Sequence, residues 1–469
     1  MRPDVKPTRR YALIGHPLGH SLSPVIHAEI DHLTGASNRY DLCEVPPEEL
    51  AARLPRLLEQ YDGLNVTIPH KERVIPLLTS LDPRAKALGA VNTINCQLGR
   101  GHNTDAGGVR PDLGDVEGAR VLIIGAGGVA RTLAALVLEM GCKELLITGR
   151  SPERVERFVA DIARGLERRR VHSVTPDGLG ELLLRREGAF DLIINATAAG
   201  MWPAVGELPL ERGLLEALFD AGRPHVFDAV YNPPATRLLL LARSAGLRAT
   251  GGLAMLWRQA VLARQIWEPD NEALGALITP SPETLGRLAR ELWRHFGQRI
   301  VLTGFVGSGK GVVVARLPQA FGLGGLGVSD LDDAFAAATG QHSPAWQREH
   351  GEARFRQMER QVLDELLATP GSQVIATGAG TLIQPGLAEH VHDRNALVVW
   401  LNAPLGLILE RFRPAFERAG AGAAELREQT ERLYRQRLAL YREAADLMID
   451  AGGTPDQVAR RIAHALELA

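Results

Sequence analysis

The stretch Val121–Arg154, VLIIGAGGVARTLAALVLEMGCKELLITGRSPER, decides the fold. Its first four residues, Val121 to Ile124, are all apolar and read as a buried parallel strand. Gly125, Ala126, Gly127, Gly128, Val129 and Ala130 follow, giving the spacing G-x-G-x-x-A. Gly125 permits a tight turn, Gly127 lets backbone approach a pyrophosphate, and Ala130 keeps the next helix close to the strand. That helix, over Val129–Met140, offers free N–H groups and a positive dipole end to phosphate oxygens. A second strand over Glu144–Thr148 closes the unit. An acid at this strand end would hold a ribose 2′-OH. The chain instead runs Thr148, Gly149, Arg150, Ser151, with Arg154 one turn on. Two guanidinium groups suit a 2′-phosphate, so the expected dinucleotide is NADP(H) rather than NAD.

Length and composition bound the rest. A chain of 469 residues is long enough for two or three domains. With 45% hydrophobic and 23% charged residues it reads as globular, and a formal charge of −2 gives no field to draw nucleic acid or an anionic membrane. No apolar run reaches the roughly 18 residues of a membrane helix. The N-terminal MRPDVKPTRRY lacks the apolar core of a secretory signal. Cys43, Cys96 and Cys142 are scattered and odd in number, which argues for a reducing cytoplasm and against a disulfide framework or zinc site.

Before the nucleotide fingerprint, Tyr11–Ile14 reads as a strand leading into GHPLGHSLSPVIHAEI, with Pro24 in the first turn of a helix. Ser21 and Ser23 lie on the entry loop, where Ser23 alone reads equally as a helix cap. His16 and His20 are four apart, but the intervening Pro and Gly exclude a helical metal pair. Tyr40–Val45 reads as a strand, Pro47–Glu59 as a helix and Leu64–Ile68 as a strand, after which Pro69 is expected to open a helix carrying Lys71. Asn65 and Thr67 are two apart and share one side of the strand end. GAVNTI places Asn92 on another strand, and GHNTDAGG places Asp105 at a helix start.

H-S-x-S-P, N-V-T-x-P-x-K, G-A-V-N-T and N-T-D-x-x-G occur in that order before the glycine fingerprint. With NATAAGM at 195–201, FDAVYNPPAT at 227–236 and GGLAMLWRQA at 251–260, residues 9–278 resemble shikimate dehydrogenase. The resemblance implies Lys71 and Asp105 as the catalytic pair beside the reacting C3 oxygen. It implies Ser21, Ser23, Asn65, Thr67, Asn92, Asp105, Tyr231 and Gln259 around the substrate hydroxyls and carboxylate. Gly252 and Met255 join Thr148, Arg150 and Arg154 on the NADP side. Two positions depart from the family pattern: Gly149 for an Asn beside the adenosine, and Ala198 for a Ser.

A second phosphate loop lies further on. Arg299–Thr303 reads as a strand, followed by GFVGSGK at 304–310. Gly304, Gly309 and Lys310 fill the G-x-x-x-x-G-K pattern that cradles phosphates, with Gly307 inside the same loop counted among the ATP-site residues. The next residue should carry a hydroxyl for Mg²⁺ but is Gly311, and Pro318 interrupts the helix that follows. SDLDDAF, GEARFRQME, ATGAG, RFRP and QRLALYREAAD complete the order found in shikimate kinase, which residues 299–469 resemble. The resemblance implies Asp330 as a Mg²⁺ support and Asp332 as acceptor from the reacting hydroxyl. It implies Arg356, Arg437, Gly378 and Gly380 around shikimate, Arg411 near ATP and Arg413 in a lid. Ala379 interrupts a usual triple glycine.

The expected architecture is therefore α/β throughout. A mixed-sheet substrate domain spans 9–115, with helices near 252–278 returning to it. A Rossmann-like NADP domain spans 116–251, a linker helix 280–298, and a P-loop kinase-like domain 299–469. The expected activity is NADPH-dependent reduction of 3-dehydroshikimate to shikimate, by a cytoplasmic enzyme acting on small molecules and able to form a homodimer. The second domain either phosphorylates that product with ATP and Mg²⁺, with water in the vacant hydroxyl position, or is a degenerate binding or packing module. A quinate dehydrogenase using NAD is the alternative for the first, against which Arg150 and Arg154 argue.

Overall fold

A computed structural model of the chain describes residues 8–19, 21–163 and 170–468. His20 and the N-terminal MRPDVKP lie outside them. Three sheets follow one another along the chain. The first is mixed: β1 (Arg10–Gly15), β2 (Arg39–Glu44), β3 (Gly63–Val66), β4 (Ser80–Leu81), β5 (Thr93–Asn95) and β6 (Arg100–His102) take the order β2-β1-β3-β5-β6-β4. β1 pairs in parallel with β2 and β3, whereas β5 runs antiparallel to both β3 and β6.

The second sheet holds β7 (Arg120–Ile124), β8 (Glu144–Thr148), β9 (Val171–Ser173), β10 (Leu192–Asn195), β11 (His225–Asp228) and β12 (Ala249–Gly251), in the order β12-β11-β10-β7-β8-β9. The order reverses direction between β7 and β10, the place where doubly wound sheets bind ligands. The central strands read as continuous apolar runs because helices cover both faces. Val121, Ile123, Leu145, Ile147 and Ile194 are buried against Ala130, Leu133 and Val137 of helix Gly128–Glu139. The third sheet, β13 (Arg299–Thr303), β14 (Gly327–Asp330), β15 (Gln373–Ala376), β16 (Ala396–Asn402) and β17 (Leu447–Asp450), is parallel and ordered β14-β15-β13-β16-β17.

Helix Leu253–Trp267 returns to the first sheet. Trp267 stacks on Tyr11 with ring centroids 4.6 Å apart, and its indole N–H donates to the Ile94 carbonyl at 2.9 Å. Arg264, fully buried on the same helix, pairs with Asp31 and Glu268 at 2.7 Å each.

One expected element is absent. The segment after Pro69 is a series of turns ending in a short 3-10 helix, Ile75–Leu77, not an α-helix carrying Lys71. The Lys71 carbonyl accepts from Val91 N at 2.8 Å, so it is not free for a helical bond, and Pro76 has no N–H to continue a ladder. Pro318 falls differently from an interior helix residue. The helix after the second phosphate loop stops at Val314, and Pro318 sits in the first turn of a new one, Leu317–Phe321, where its missing N–H costs little.

By compactness the chain divides into two units. One gathers the chain up to Thr197 with Gly213–Tyr231 and Thr250–Leu288; the other gathers Ala198–Arg212, Asn232–Ala249 and Ala289 onward. Within the second, arginines from the two short segments hold the kinase-like fold. Arg237 Nε donates to Asp446 Oδ1 at 2.7 Å, and its Nη1 to the Gly206 carbonyl at 2.7 Å. Arg212 donates to the last carbonyls of helix Ala423–Ala444, at Glu443 and Arg442, which complements the negative end of that helix. Arg243 reaches the Ala465 carbonyl at 2.7 Å and the Glu467 carboxylate.

Asp446 is fully buried, and besides Arg237 it accepts from His392 Nε2 at 3.0 Å and Val398 N at 2.8 Å. Burial alone would raise its pKa; the His392, Arg237 and amide contacts overcome that and hold it near about 2. A carboxyl depressed from 3.8 in the unfolded chain contributes roughly 2 kcal/mol above pH 4, lost as pH falls toward 2. Replacing Arg237 by Leu should destabilise the second unit by about 3–5 kcal/mol in urea unfolding, because it strands a buried carboxylate. Asp446→Asn should flatten the acid limb between pH 4 and 2. A wild-type-like midpoint for Arg237→Leu would remove this clamp from the account.

Candidate active site

In the first unit the candidate residues converge at one end of the mixed sheet. Lys71 stands on the turn after β3, and Asp105 is the first residue of helix Asp105–Leu113. Lys71 Nζ meets Asp105 Oδ2 at 2.7 Å, with both side chains partly exposed. Asn92 Nδ2 donates to the other carboxylate oxygen at 2.8 Å and lies 3.4 Å from Gln259 Oε1. Asp105 does not cap its helix; Thr104 occupies that position, and the Asp105 carboxylate is spent on Lys71 and Asn92. Asn92 is itself fixed: its Oδ1 accepts from Thr104 N at 2.8 Å.

A second chain of bonds runs to the entry loop. Tyr40 O–H donates to Asn65 Oδ1 at 2.8 Å, and Asn65 Nδ2 donates to Thr93 Oγ1 at 3.2 Å, which borders Asn92. The Ser23 hydroxyl lies beside Tyr40, and helix Ser23–Thr34 has no side-chain cap, so Ser23 is not its capping group. Ser21 Oγ accepts from Ser23 N at 3.2 Å. Burial pushes the Tyr40 and Tyr231 phenols up and His27, stacked on Tyr40 at 4.1 Å, well below the usual imidazole range. Thr67 packs its methyl so tightly on the Gly15 backbone that no Cβ would fit there. Among the described residues, Thr67 and Tyr231 share no hydrogen bond with the Lys71 cluster. His16 faces Glu44 at 3.1 Å.

Helix Leu253–Trp267 crosses helix Asp105–Leu113 closely. A Cβ on Gly108 would stand 2.8 Å from the Met255 carbonyl and 3.0 Å from Gln259 N. Arg258 forks onto both oxygens of Asp112 at 2.7 and 2.9 Å and onto the Gly108 carbonyl at 2.9 Å. Tyr40, Thr104, Arg258 and Asp112 were not singled out by sequence; Thr104 lay within N-T-D and Arg258 within W-R-Q-A, but their partners are 12 and 146 residues away.

The nucleotide loop follows β7 at the switch point. Gly125 has φ 120°, and a Cβ there would stand 2.9 Å from the Ala196 carbonyl that leaves β10. Gly127 and Gly128 have open space above them, as an approaching pyrophosphate requires. Arg150 and Arg154 are exposed, and among the described residues no acid or carbonyl engages their guanidinium groups. Thr148 is fully buried with its hydroxyl unpartnered. Gly252, the cap of helix Leu253–Trp267, approaches the Ala229 carbonyl, and Met255 packs on the sheet core. The cradle, the open glycines and the two unengaged cations fit a dinucleotide carrying a 2′-phosphate.

In the second unit the phosphate loop leaves β13. Gly304, Gly307 and Gly309 have φ of 148°, 80° and 92°. Lys310 Nζ donates to the Gly304 carbonyl at 2.8 Å and the Phe305 carbonyl at 3.2 Å, and burial lowers its pKa to about 8 against the pull of Asp332 and Asp330. Arg411 donates to the Gly307 carbonyl at 2.6 Å; Arg413 is exposed at the start of helix Arg413–Ala419.

Asp330 caps helix Leu331–Thr339 through Oδ1, and its Oδ2 is 3.2 Å from where a Gly311 Cβ would stand. Burial and the neighbouring Asp332 and Asp333 raise its pKa. The phosphate cradle fits ATP; for Mg²⁺ the position after Lys310 supplies no hydroxyl, and Asp330 is the adjacent carboxylate. On the acceptor side Arg356 pairs with Glu352 and Glu359, at 2.8 and 2.7 Å. Gly378 and Gly380 face Asp332, Glu359 and Arg356 closely enough that a Cβ on Gly380 would stand 3.1 Å from Arg356. Arg437 lies beside Tyr441, whose burial raises its pKa to about 12. Among the described residues no group of three or more His, Cys, Asp or Glu side chains is arranged to hold a metal ion, and no helix is long and apolar enough to cross a membrane.

Comparison with known proteins agrees with both halves. A family model for the shikimate dehydrogenase substrate binding domain matches residues 13–94, one for shikimate / quinate 5-dehydrogenase matches 109–203, and one for shikimate kinase matches 306–467. The shikimate dehydrogenase (NADP(+)) of Moorella thermoacetica is 40% identical over 267 residues, covering 55% of this chain and 86% of that protein. That of Xanthomonas campestris pv. campestris is 41% identical over 270 residues, covering 56% and 91%. The structure of shikimate 5-dehydrogenase from Thermus thermophilus in complex with NADP(H) and shikimate aligns with a TM-score of 0.50 at 29% identity, over 61% of this chain and 100% of that one.

The close crossing at Gly108 is directly testable. Gly108→Val should cost about 1–3 kcal/mol, as overpacking does, and lower NADP-linked turnover by at least about tenfold, because it displaces Gln259 and Asp105 together. Gly107→Ala meets only the tip of Leu262 and serves as the control. Equal turnover in the two variants would show that the crossing does not position the site.

Proposed function

The chain belongs to the shikimate dehydrogenase family, and from that premise we propose that it reduces 3-dehydroshikimate to shikimate with NADPH at the Lys71–Asp105 pair. The observation that carries the reading is the 2.7 Å contact between Lys71 Nζ and Asp105 Oδ2, with Asn92 holding the second carboxylate oxygen. Bound NADPH supplies the hydride to the carbonyl carbon. The electron pair of the carbonyl bond moves to its oxygen, and the Lys71 ammonium stands beside that oxygen to stabilise and protonate it. Asp105 keeps Lys71 oriented, and the pair regains its proton from solvent. Ser21, Ser23, Asn65, Thr67, Tyr231 and Gln259 hold the remaining hydroxyls and the carboxylate. Arg150 and Arg154 take the 2′-phosphate.

For the second unit we infer binding of shikimate at Asp332, Arg356, Gly378, Gly380 and Arg437, and of ATP at the loop around Lys310 with Arg411 and Arg413. Gly311 removes a ligand from the Mg²⁺ expected beside Asp330. This favours phosphoryl transfer that is weak compared with the loop's otherwise complete cradle. The shared ligand, product of one half and acceptor of the other, gives the fusion its chemical sense. The three free thiols suit the cytoplasm, and we place the enzyme there, as a homodimer that size-exclusion chromatography with light scattering would reveal.

Lys71→Ala should lower kcat by roughly 10²–10⁴ with the thermal midpoint unchanged. Near-normal turnover would remove Lys71 from the chemistry. Arg150→Ala should raise KM for NADP(H) by about tenfold or more while leaving NAD turnover unaltered, and a parallel effect on both would overturn the 2′-phosphate assignment. In the full chain, Gly311→Ser should raise phosphate transfer from Mg·ATP to shikimate by about tenfold or more. Transfer by the natural chain at a rate the variant does not exceed would mean the hydroxyl is dispensable.

A further inference from the structure

Within the second unit a cavity of ≈ 300 Å³ opens between Trp202, Phe296 and the start of β13. It lies outside the phosphate loop and the acceptor cluster. Two aromatic rings form one wall: Trp202 and Phe296 have centroids 5.4 Å apart and planes at 55°. Gly297 and Gly371, both at positive φ, form a wall of bare backbone.

Three basic side chains border the cavity, Arg294, His295 and Arg299. Glu291 engages the first two: Arg294 donates to its carboxylate, and His295 lies 3.6 Å from it. Arg299 is different. It is half-buried, and among the described residues no carboxylate lies within ion-pair distance of it. Its Nη atoms reach only the Gly297 and Thr369 carbonyls at 3.4 and 3.3 Å, and its Nε is buried without a partner. Desolvation lowers its pKa with no acid to offset it. A half-buried guanidinium without a counter-charge leaves its donors poorly used, and a planar carboxylate is the partner whose geometry matches it. Opposite, Asn395 is held at φ 58°, and its side-chain amide makes no hydrogen bond among the described residues.

We propose that this cavity binds a small aromatic carboxylate, with its carboxylate on Arg299, a polar contact to Asn395, and its ring against Trp202 and Phe296. The volume is at the lower end for ligand pockets and suits a single ring rather than a nucleotide. An aromatic wall favours a flat ring, which can stack on it or meet it edge-on, over a saturated one.

The test is calorimetric titration of the full chain with phenylacetate, cyclohexylacetate and inorganic phosphate. Shikimate, NADPH and a non-hydrolysable ATP analogue are present throughout, to fill the carboxylate and phosphate sites of both halves. Phenylacetate should bind with one site per chain and more tightly than cyclohexylacetate. Arg299→Gln should weaken it by about tenfold or more and Asn395→Gly by a few-fold, with dehydrogenase turnover unchanged in both. Asn395→Gly keeps the backbone conformation, so it remains informative should Arg299→Gln fail to fold. No binding at millimolar phenylacetate, or binding that neither variant weakens, would overturn the proposal. Phosphate binding as tightly with the same dependence on Arg299 would make this a general anion site and overturn the aromatic class.

Discussion

The first unit depends on one close crossing of two helices that lie far apart in sequence. Helix Asp105–Leu113 begins with the acid of the candidate site, and helix Leu253–Trp267 carries Gln259. A side chain at Gly108 would stand 2.8 Å from the opposing backbone. The bidentate Arg258–Asp112 pair then fixes the rotation of one helix about the other. This pair is buried, where its Coulomb attraction is offset by desolvation, so its contribution is geometric more than energetic. It converts two amphipathic helices, which would otherwise slide, into a frame that holds Asp105, Asn92 and Gln259 within hydrogen-bond reach. The other end of the same helix is locked by the Trp267 stack and the Arg264 cluster on β1.

Electrostatics divides the labour among the basic residues in a consistent way. Arginines that build the fold are paired: Arg258 with Asp112, Arg264 with Asp31 and Glu268, Arg237 with Asp446. Arg150 and Arg154 are exposed where a phosphate is expected, and among the described residues no acid engages them. Lys310 lies between these cases. It is half-buried and turned back on the carbonyls of its own loop, so an arriving phosphate must replace two backbone acceptors. Those acceptors hold the ammonium in place meanwhile, and the cost of displacing them is small beside that of burying a phosphate without a cation.

What was legible in the sequence follows from range. The strand, turn, helix and strand over Val121–Arg154 are fixed by local patterns, and β8 and helix Gly128–Glu139 match the reading to within a residue at each end. The second phosphate loop and β13 were equally plain for the same reason. Lys71 and Asp105 were legible as residues, but not the turn that carries Lys71. Pro69 looks like a helix opener until the Val91 amide is seen to take the Lys71 carbonyl. Tyr40, Arg258 and Asp112 gave no local signal, because each acts through a partner that only the fold brings near. The same holds for Arg237 and Asp446, which are 209 residues apart and tie a segment read as nucleotide domain to the kinase-like sheet.

That tie separates the residues of the second unit on which its fold relies from the glycine that follows Lys310. Gly206 approaches the His392 carbonyl so closely that a Cβ would overlap it, and His392 completes the shell around Asp446. These contacts tie β17, the end of helix Ala423–Ala444 and helix Leu387–Asp393 into one packed unit. The position after Lys310 lies outside that shell. A glycine there leaves Asp330 unobstructed and removes no contact on which the fold relies. Substitution after Lys310 therefore changes the metal side of the loop alone, whereas residues that share their contacts with the packing of the rest of the unit cannot be changed without cost to the fold.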